Sequence, residues 1–160
     1  MNGLEQNFYS RVRDIYPSIP ETLLRALSPG NMVLKLDSDA RVMALLQTQV
    51  PQTLKLQQFT RNEWIFFGTL LRCFPYYAPY EMLLADLTSL SCDACRHRLQ
   101  EVQPQGAKAI GRELKPIYRA LYGVRAKLNK ICPHIKISLV RDAGYVLTVL
   151  SNQQVLFSED

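Results

Sequence analysis

A mixed α+β fold is what the sequence predicts, and three stretches carry the prediction. Residues 32–56 alternate in the manner of strands, residues 60–131 carry apolar residues at helical spacing, and residues 135–149 return to a period of two. The expected architecture is an N-terminal antiparallel β-sheet, a three-helix core and a C-terminal β-hairpin, preceded by a helical extension.

The totals fit such a chain. Its 160 residues suit one domain with an appendage, and 48% hydrophobic against 21% charged residues support a real core rather than wholesale disorder. An isoelectric point near 9.1 favours anionic partners. No apolar run reaches the roughly 18 residues of a membrane span, and MNGLEQNFYSR lacks a signal-peptide core. A cytoplasmic chain with no membrane partner is expected, with Cys73, Cys92, Cys95 and Cys132 reduced or metal-bound.

Taken in order, residues 1–30 form the helical extension and residues 31–160 the main domain, with an insert at about 88–112. In the extension, Leu4, Phe8, Val12 and Ile15 line one short helix, Leu23, Leu24 and Leu27 mark a second, and Ser28-Pro29-Gly30 ends it. Too small to fold alone, this pair packs on the main domain or forms a dimer contact. Met32–Leu36, Arg41–Leu46 and Thr53–Leu56 read as three strands, the first two joined by a turn of short polar residues at Asp37-Ser38-Asp39-Ala40. Thr60 and Glu63 then have the spacing of a capping box, opening a helix to about Cys73 that buries Trp64, Phe67, Leu70 and Leu71. A second helix is expected from Ala78-Pro79, with proline at its first position, carrying Met82, Leu83 and Leu87.

Residues 114–131 hold the densest signal. Leu114, Ile117, Leu121, Val124, Leu128 and Ile131 recur at threes and fours and must face a core. At about 100° per residue, the opposite side carries Lys115, Arg119, Tyr122, Ala126 and Lys130, with Tyr118 and Asn129 beside it. After Cys132-Pro133, Ile135, Ile137 and Leu139 alternate with Lys136, Ser138 and Val140, and Arg141-Asp142-Ala143-Gly144 turns the chain into Tyr145–Val149. Between Glu113 and Tyr145 seven basic residues stand against two acidic ones, a surplus equal to the formal charge of the whole chain, +5. Such a helix, continued by a basic hairpin, fits a DNA major groove and its flanking phosphates; a merely solvated basic face is the alternative.

Three motifs in this order, TRNEW, VRAKL and VRDAGYVL, resemble the helix start, the helix end and the wing of the effector domain of OmpR/PhoB-type response regulators, over roughly residues 32–150. That resemblance implies a winged helix-turn-helix that binds double-stranded DNA, with the third helix reading the groove. It sets Lys115, Tyr118, Arg119 and Tyr122 where that family contacts bases and phosphates, and Arg141 at its wing arginine. Arg125, Lys127, Lys130 and Lys136 complete the expected DNA-binding set. Three departures stand out: no receiver domain precedes the sheet, a longer insert replaces the family's short loop, and Asp142 stands where the wing usually has glycine and would repel a phosphate.

Within the insert, Ser91 caps a helix from Cys92 to about Gln103, ended by Pro104-Gln105-Gly106, with Cys95, Leu99 and Val102 inward and Arg96, His97 and Arg98 outward. Residues 114–131 are preferred over it as the recognition helix because only they lead straight into the hairpin. Cys92 and Cys95 have half a zinc spacing that His97, Cys132 and His134 would complete; packed thiols are the competing account, and the favoured one. Gly123 is either a tolerated helix defect or a point of close backbone approach, and Tyr118 and Tyr122 serve packing or DNA contact.

No phosphate-binding lysine loop, GxGxxG, GxSxG or HExxH occurs, so neither an enzyme nor a cofactor is expected. The reading is a sequence-specific DNA-binding transcriptional regulator acting as a dimer or in tandem. A module that docks on RNA polymerase or another transcription factor is the alternative.

Overall fold

Short polar turns and alternating apolar residues build the first sheet. In the computed structural model, which describes residues 32–47 and 52–150, β1 (Met32–Asp37), β2 (Val42–Gln47) and β3 (Gln52–Gln58) form an antiparallel meander in the order β1-β2-β3. The Asp37 carboxylate accepts from the backbone N–H groups of Asp39 and Ala40, both at 3.1 Å, which fixes the β1–β2 turn. Leu34, Leu36, Met43 and Leu45 point from this sheet into the core. The helices expected within residues 1–30, and residues 151–160, lie outside the described residues.

α1 (Arg61–Cys73) starts at the expected capping box: the Thr60 hydroxyl accepts from the Glu63 N–H and the Glu63 carboxylate accepts from the Thr60 N–H. Trp64, Phe66, Phe67, Leu70 and Leu71 are buried, and Phe59 stacks on Phe67 with ring centroids 6.3 Å apart. The chain then departs from expectation. Ala78–Pro79 is not the start of a helix but a two-residue strand, β4, and α2 runs from Tyr80 to Thr88. Pro79 keeps an extended ψ of 151° and serves as the N-cap, so the proline that suits a first helical turn here ends a strand instead.

Beyond α2, α3 (Cys92–Val102) is capped by Ser91, whose hydroxyl accepts from the Ala94 N–H at 3.1 Å; Cys95 is buried, and Arg96, His97 and Arg98 are exposed. After a 3-10 turn at Gln103–Gln105 and Gly106 at φ 96°, a short helix without a clear signal in the sequence, α4 (Ala107–Glu113), leads into α5 (Lys115–Ile131). The second sheet comprises β4, β5 (Ile135–Val140) and β6 (Gly144–Val149), ordered β4-β6-β5 and antiparallel throughout. The described chain is thus mixed α+β, with five α-helices and two small antiparallel sheets. α1, α2 and α5 pack on one another, and α1 and α5 also bear on the second sheet. None of the described helices is long and apolar enough to cross a membrane.

Candidate nucleic-acid interface

The amphipathic pattern of α5 settles which side is available. Ile117, Ala120, Leu121, Val124, Leu128 and Ile131 are buried, whereas Lys115, Tyr118, Arg119, Tyr122, Arg125, Ala126, Asn129 and Lys130 are exposed. Tyr122 is 81% and Tyr118 42% exposed, so the first stands clear of the protein and the second lies at its rim. No acidic residue occurs anywhere in α5. Among the described residues no carboxylate lies within ion-pair distance of Lys115 or Arg119. An unneutralised cationic strip of this kind attracts a polyanion.

The two flanks of the helix behave differently. Lys127 turns toward α1: its ammonium donates to Glu63 Oε1 at 2.5 Å and sits 5.5 Å from the Phe59 ring centroid, with only 24% of the side chain exposed. The expectation that Lys127 belongs to the DNA-contacting set is therefore corrected, because its charge neutralises a buried carboxylate. Burial alone would raise the Glu63 pKa, but the Lys127 ammonium and the N–H and hydroxyl of Thr60 outweigh it and hold the group below its ordinary value. Gly123 explains itself here. A Cβ at that position would overlap the Glu63 carboxylate, so of the two accounts of Gly123, close approach holds, and the approaching group is a side chain of α1.

On the other flank Arg125 braces the hairpin. Its guanidinium donates to the Ile137 carbonyl at 2.7 Å and lies 5.9 Å from the Tyr145 ring centroid. Tyr145 meets Phe66 and Tyr80 edge-on at 6.3 and 6.0 Å. Burial pushes the Tyr80 hydroxyl up to about 12, with Tyr145, Tyr118 and Asp142 adding to the shift. Burial likewise raises Tyr145, Tyr118 adding and Arg125 opposing. Tyr118 thus lies close enough to act electrostatically on both hydroxyls, while its exposed side chain remains available for contact.

The hairpin is also held by backbone bonds next to its turn. Ala78 and Pro79 pair with Tyr145 and Gly144, and the Tyr80 N–H donates to the Ala143 carbonyl at 3.0 Å. A side chain at Gly144 would run into the Ala78 carbonyl, so only glycine permits the pairing. At the tip, Asp142 has φ 57°, the left-handed conformation that glycine, asparagine and aspartate tolerate best. The sequence departure at that position therefore preserves the turn. Arg141 and Asp142 are 3.8 Å apart with side chains 94% and 93% exposed, a pair that solvent screens heavily. Lys136 is exposed and donates to Asn129 Oδ1 at 3.3 Å, linking β5 to the open face of α5 without losing its charge to an acid. Lys55 on β3 donates to the Lys130 carbonyl at 3.0 Å, which places a cation at the negative end of the helix dipole.

The candidate zinc ligands do not converge. Among the described residues no group of three or more His, Cys, Asp or Glu is arranged to hold a metal ion. Cys132 and His134 touch, Sγ to Nε2 at 3.3 Å, at the end of α5. Cys92 and Cys95 belong to α3, where Cys95 borders a cleft with Leu84, Arg98 and Pro116. Burial pushes the Cys132 thiol up to about 12, so it packs as a protonated, weakly polar group.

Of the nine residues expected to meet DNA, seven present exposed side chains on one helix face and the adjoining hairpin, Lys127 is diverted inward, and Arg125 is exposed but spent on the hairpin. Angle would have separated these two. At about 100° per residue, Lys127 lies about 120° from Lys115 and Arg125 about 80° to the other side, both at the borders of the buried stripe. Glu63, Gly144 and the Tyr80–Tyr145 pair, which position the helix and the hairpin, carried no signal of that role beyond the capping box at Glu63. Comparison with protein-family models, with curated proteins and with solved structures found no match for this chain.

Proposed function

We propose that this protein is a winged helix-turn-helix regulator of transcription that binds double-stranded DNA in a sequence-directed way. α5 is the recognition helix in the major groove, and β5–β6 is the wing on the backbone or the minor groove. One observation carries the reading: α5 has no acidic residue, its apolar side is locked into the core, and its opposite side leaves Lys115, Arg119 and Tyr122 open to a partner. The hairpin directly after it, tied to the α1–α2 connection through β4, supports it, as does the resemblance of TRNEW, VRAKL and VRDAGYVL to OmpR/PhoB-type effector domains. In this reading Lys115, Lys130, Lys136 and Arg141 meet phosphates and fix register, while Arg119 and Tyr122 reach base edges. Binding as a dimer or in tandem on repeated half-sites accords with the usual logic of such proteins.

Selection of bound fragments from a random duplex pool tests the proposal. The expected result is an enriched motif whose spacing gives the stoichiometry; no enrichment at low salt contradicts it. With the motif in hand, Arg119→Ala is expected to reduce discrimination between motif and random duplex, and Lys136→Ala to weaken both alike.

A second reading, a module that docks on RNA polymerase or another transcription factor, is favoured by Leu54 and Leu56 of β3, which are 44% and 65% exposed. A protein partner retained from lysate after nuclease treatment, together with failure of the selection, would favour that reading.

A further inference from the structure

The joint between α4 and α5 is a bend in one rod rather than a break. The Leu114 N–H donates to the Ile110 carbonyl at 3.0 Å and the Tyr118 N–H to the Leu114 carbonyl at 3.1 Å, so helical bonding passes through Leu114, itself at φ −84° and ψ 0°. The buried stripe passes through as well, from Ala109 and Leu114 to Ile117, Leu121 and Val124. So does the open one. Lys108 and Arg112 are exposed, four residues apart, and Lys115 and Arg119 continue at steps of three and four. At about 100° per residue, Lys108, Arg112, Lys115, Arg119, Tyr122 and Lys130 all fall within a sector of about 80°. No carboxylate lies on it. Glu113, the acid at the joint, lies about 160° from Lys115 by the same count, half-buried beside a cleft that Arg112, Arg98 and Pro116 also line. Among the described residues neither Lys108 nor Arg112 has an ion-pair partner.

From Lys108 to Lys130 the rod is about 33 Å long at about 1.5 Å per residue, close to the roughly 34 Å of a full duplex turn. The groove winds once around the duplex axis over that length, so the leading end of a rod with a single bend at Leu114 leaves the groove and crosses the sugar-phosphate backbone. Resting on the DNA-binding reading above, we infer that α4 is a phosphate clamp. Lys108 and Arg112 grip the backbone at the entry to the major groove, opposite the end held by the wing, and lengthen the footprint without reading sequence.

Two phosphate contacts should each contribute about 0.9 to the slope of log affinity against log salt, and about 8-fold in affinity at 0.1 M salt. The test is fluorescence anisotropy of two labelled 40-base-pair duplexes, one carrying the selected motif and one of random sequence, across salt, with the full chain and with the double variant Lys108→Gln, Arg112→Gln. Both positions are exposed and glutamine keeps helix propensity, so thermal unfolding should match that of the parent. The expected result is a slope shallower by about two and a parallel loss of affinity for motif and random duplex. A parent that binds duplex while the variant keeps the same affinity and slope overturns the clamp and leaves the proposed function standing. A parent that binds no duplex at low salt overturns both.

Discussion

On the flanks of α5, Lys127 bonds to Glu63 and Arg125 to the Ile137 carbonyl; on its open face, Lys115 and Arg119 meet no acid among the described residues. Four cations of one helix therefore do two different jobs. The difference lies in angle, not in composition: the flanking pair stands at the edge of the apolar stripe, where a long side chain can lie along the core and deliver its charge to a buried acceptor. The pair on the open face has no acid to meet among the described residues and is left to solvent or a partner. A count of positive charges along the chain merges the two groups, and only the first is explained by the fold itself.

The largest expected effect sharpens the packed side. In Gly144→Ala the added methyl meets the Ala78 carbonyl, a backbone atom that cannot swing away, so the β4–β6 pairing and the seat of the hairpin are lost. A loss of about 3 kcal/mol in urea unfolding is expected; a loss below about 1 kcal/mol would show that β4 does not hold the hairpin.

Next comes the Glu63 socket. Glu63→Gln removes the charge from a buried hydrogen-bonded pair and is expected to cost about 2 kcal/mol. The folded pKa of Glu63 is lowered, so its contribution is present above the ordinary value of 4.5 and is lost as pH falls through the lowered folded value. The wild-type protein should lose stability in that acid window, and the glutamine variant should lose less. The same socket gives a sign reversal. Gly123→Ala should destabilise the wild-type protein, whereas in a Glu63→Ala background, with the obstructing carboxylate gone, it should stabilise by about 1 kcal/mol through helix propensity. Independent, additive effects would contradict the close packing.

On the open side the expected effects leave stability alone. Asp142 keeps the hairpin turn in its left-handed conformation but adds a negative charge at the tip beside Arg141. Asp142→Gly should retain the turn and raise duplex affinity roughly twofold, an effect weakened by salt. Unchanged affinity at low salt would mean that the tip does not approach DNA.

Much of the fold was legible because its local signals are self-contained. Thr60 with Glu63, Ser91, the Asp37 turn and the alternation on either side of Arg141-Asp142 each act within a few residues. What was not legible depends on distant partners. α4 holds Gly111 and precedes Pro116, both helix breakers by local rule; it forms because α5 continues it and Ala109 and Leu114 are buried. β4 exists only because β6 comes to lie beside it, which overrides the preference of Pro79 for a first helical turn. For the candidate site, the open face was readable from spacing. The diversion of Lys127 required knowing that Glu63, 64 residues earlier in the chain, lies beneath it.

The central claim is that the open face of α5 and its neighbouring hairpin bind duplex DNA through phosphates and base edges, and equilibrium binding of the wild-type chain to duplex across salt tests it most directly. Four phosphate contacts from Lys115, Lys130, Lys136 and Arg141 predict a slope of log affinity against log salt of about −3.6, and the α4 clamp would steepen it to about −5.4. A slope near zero, or no binding at about 0.05 M salt, where such contacts are strongest, would contradict the account.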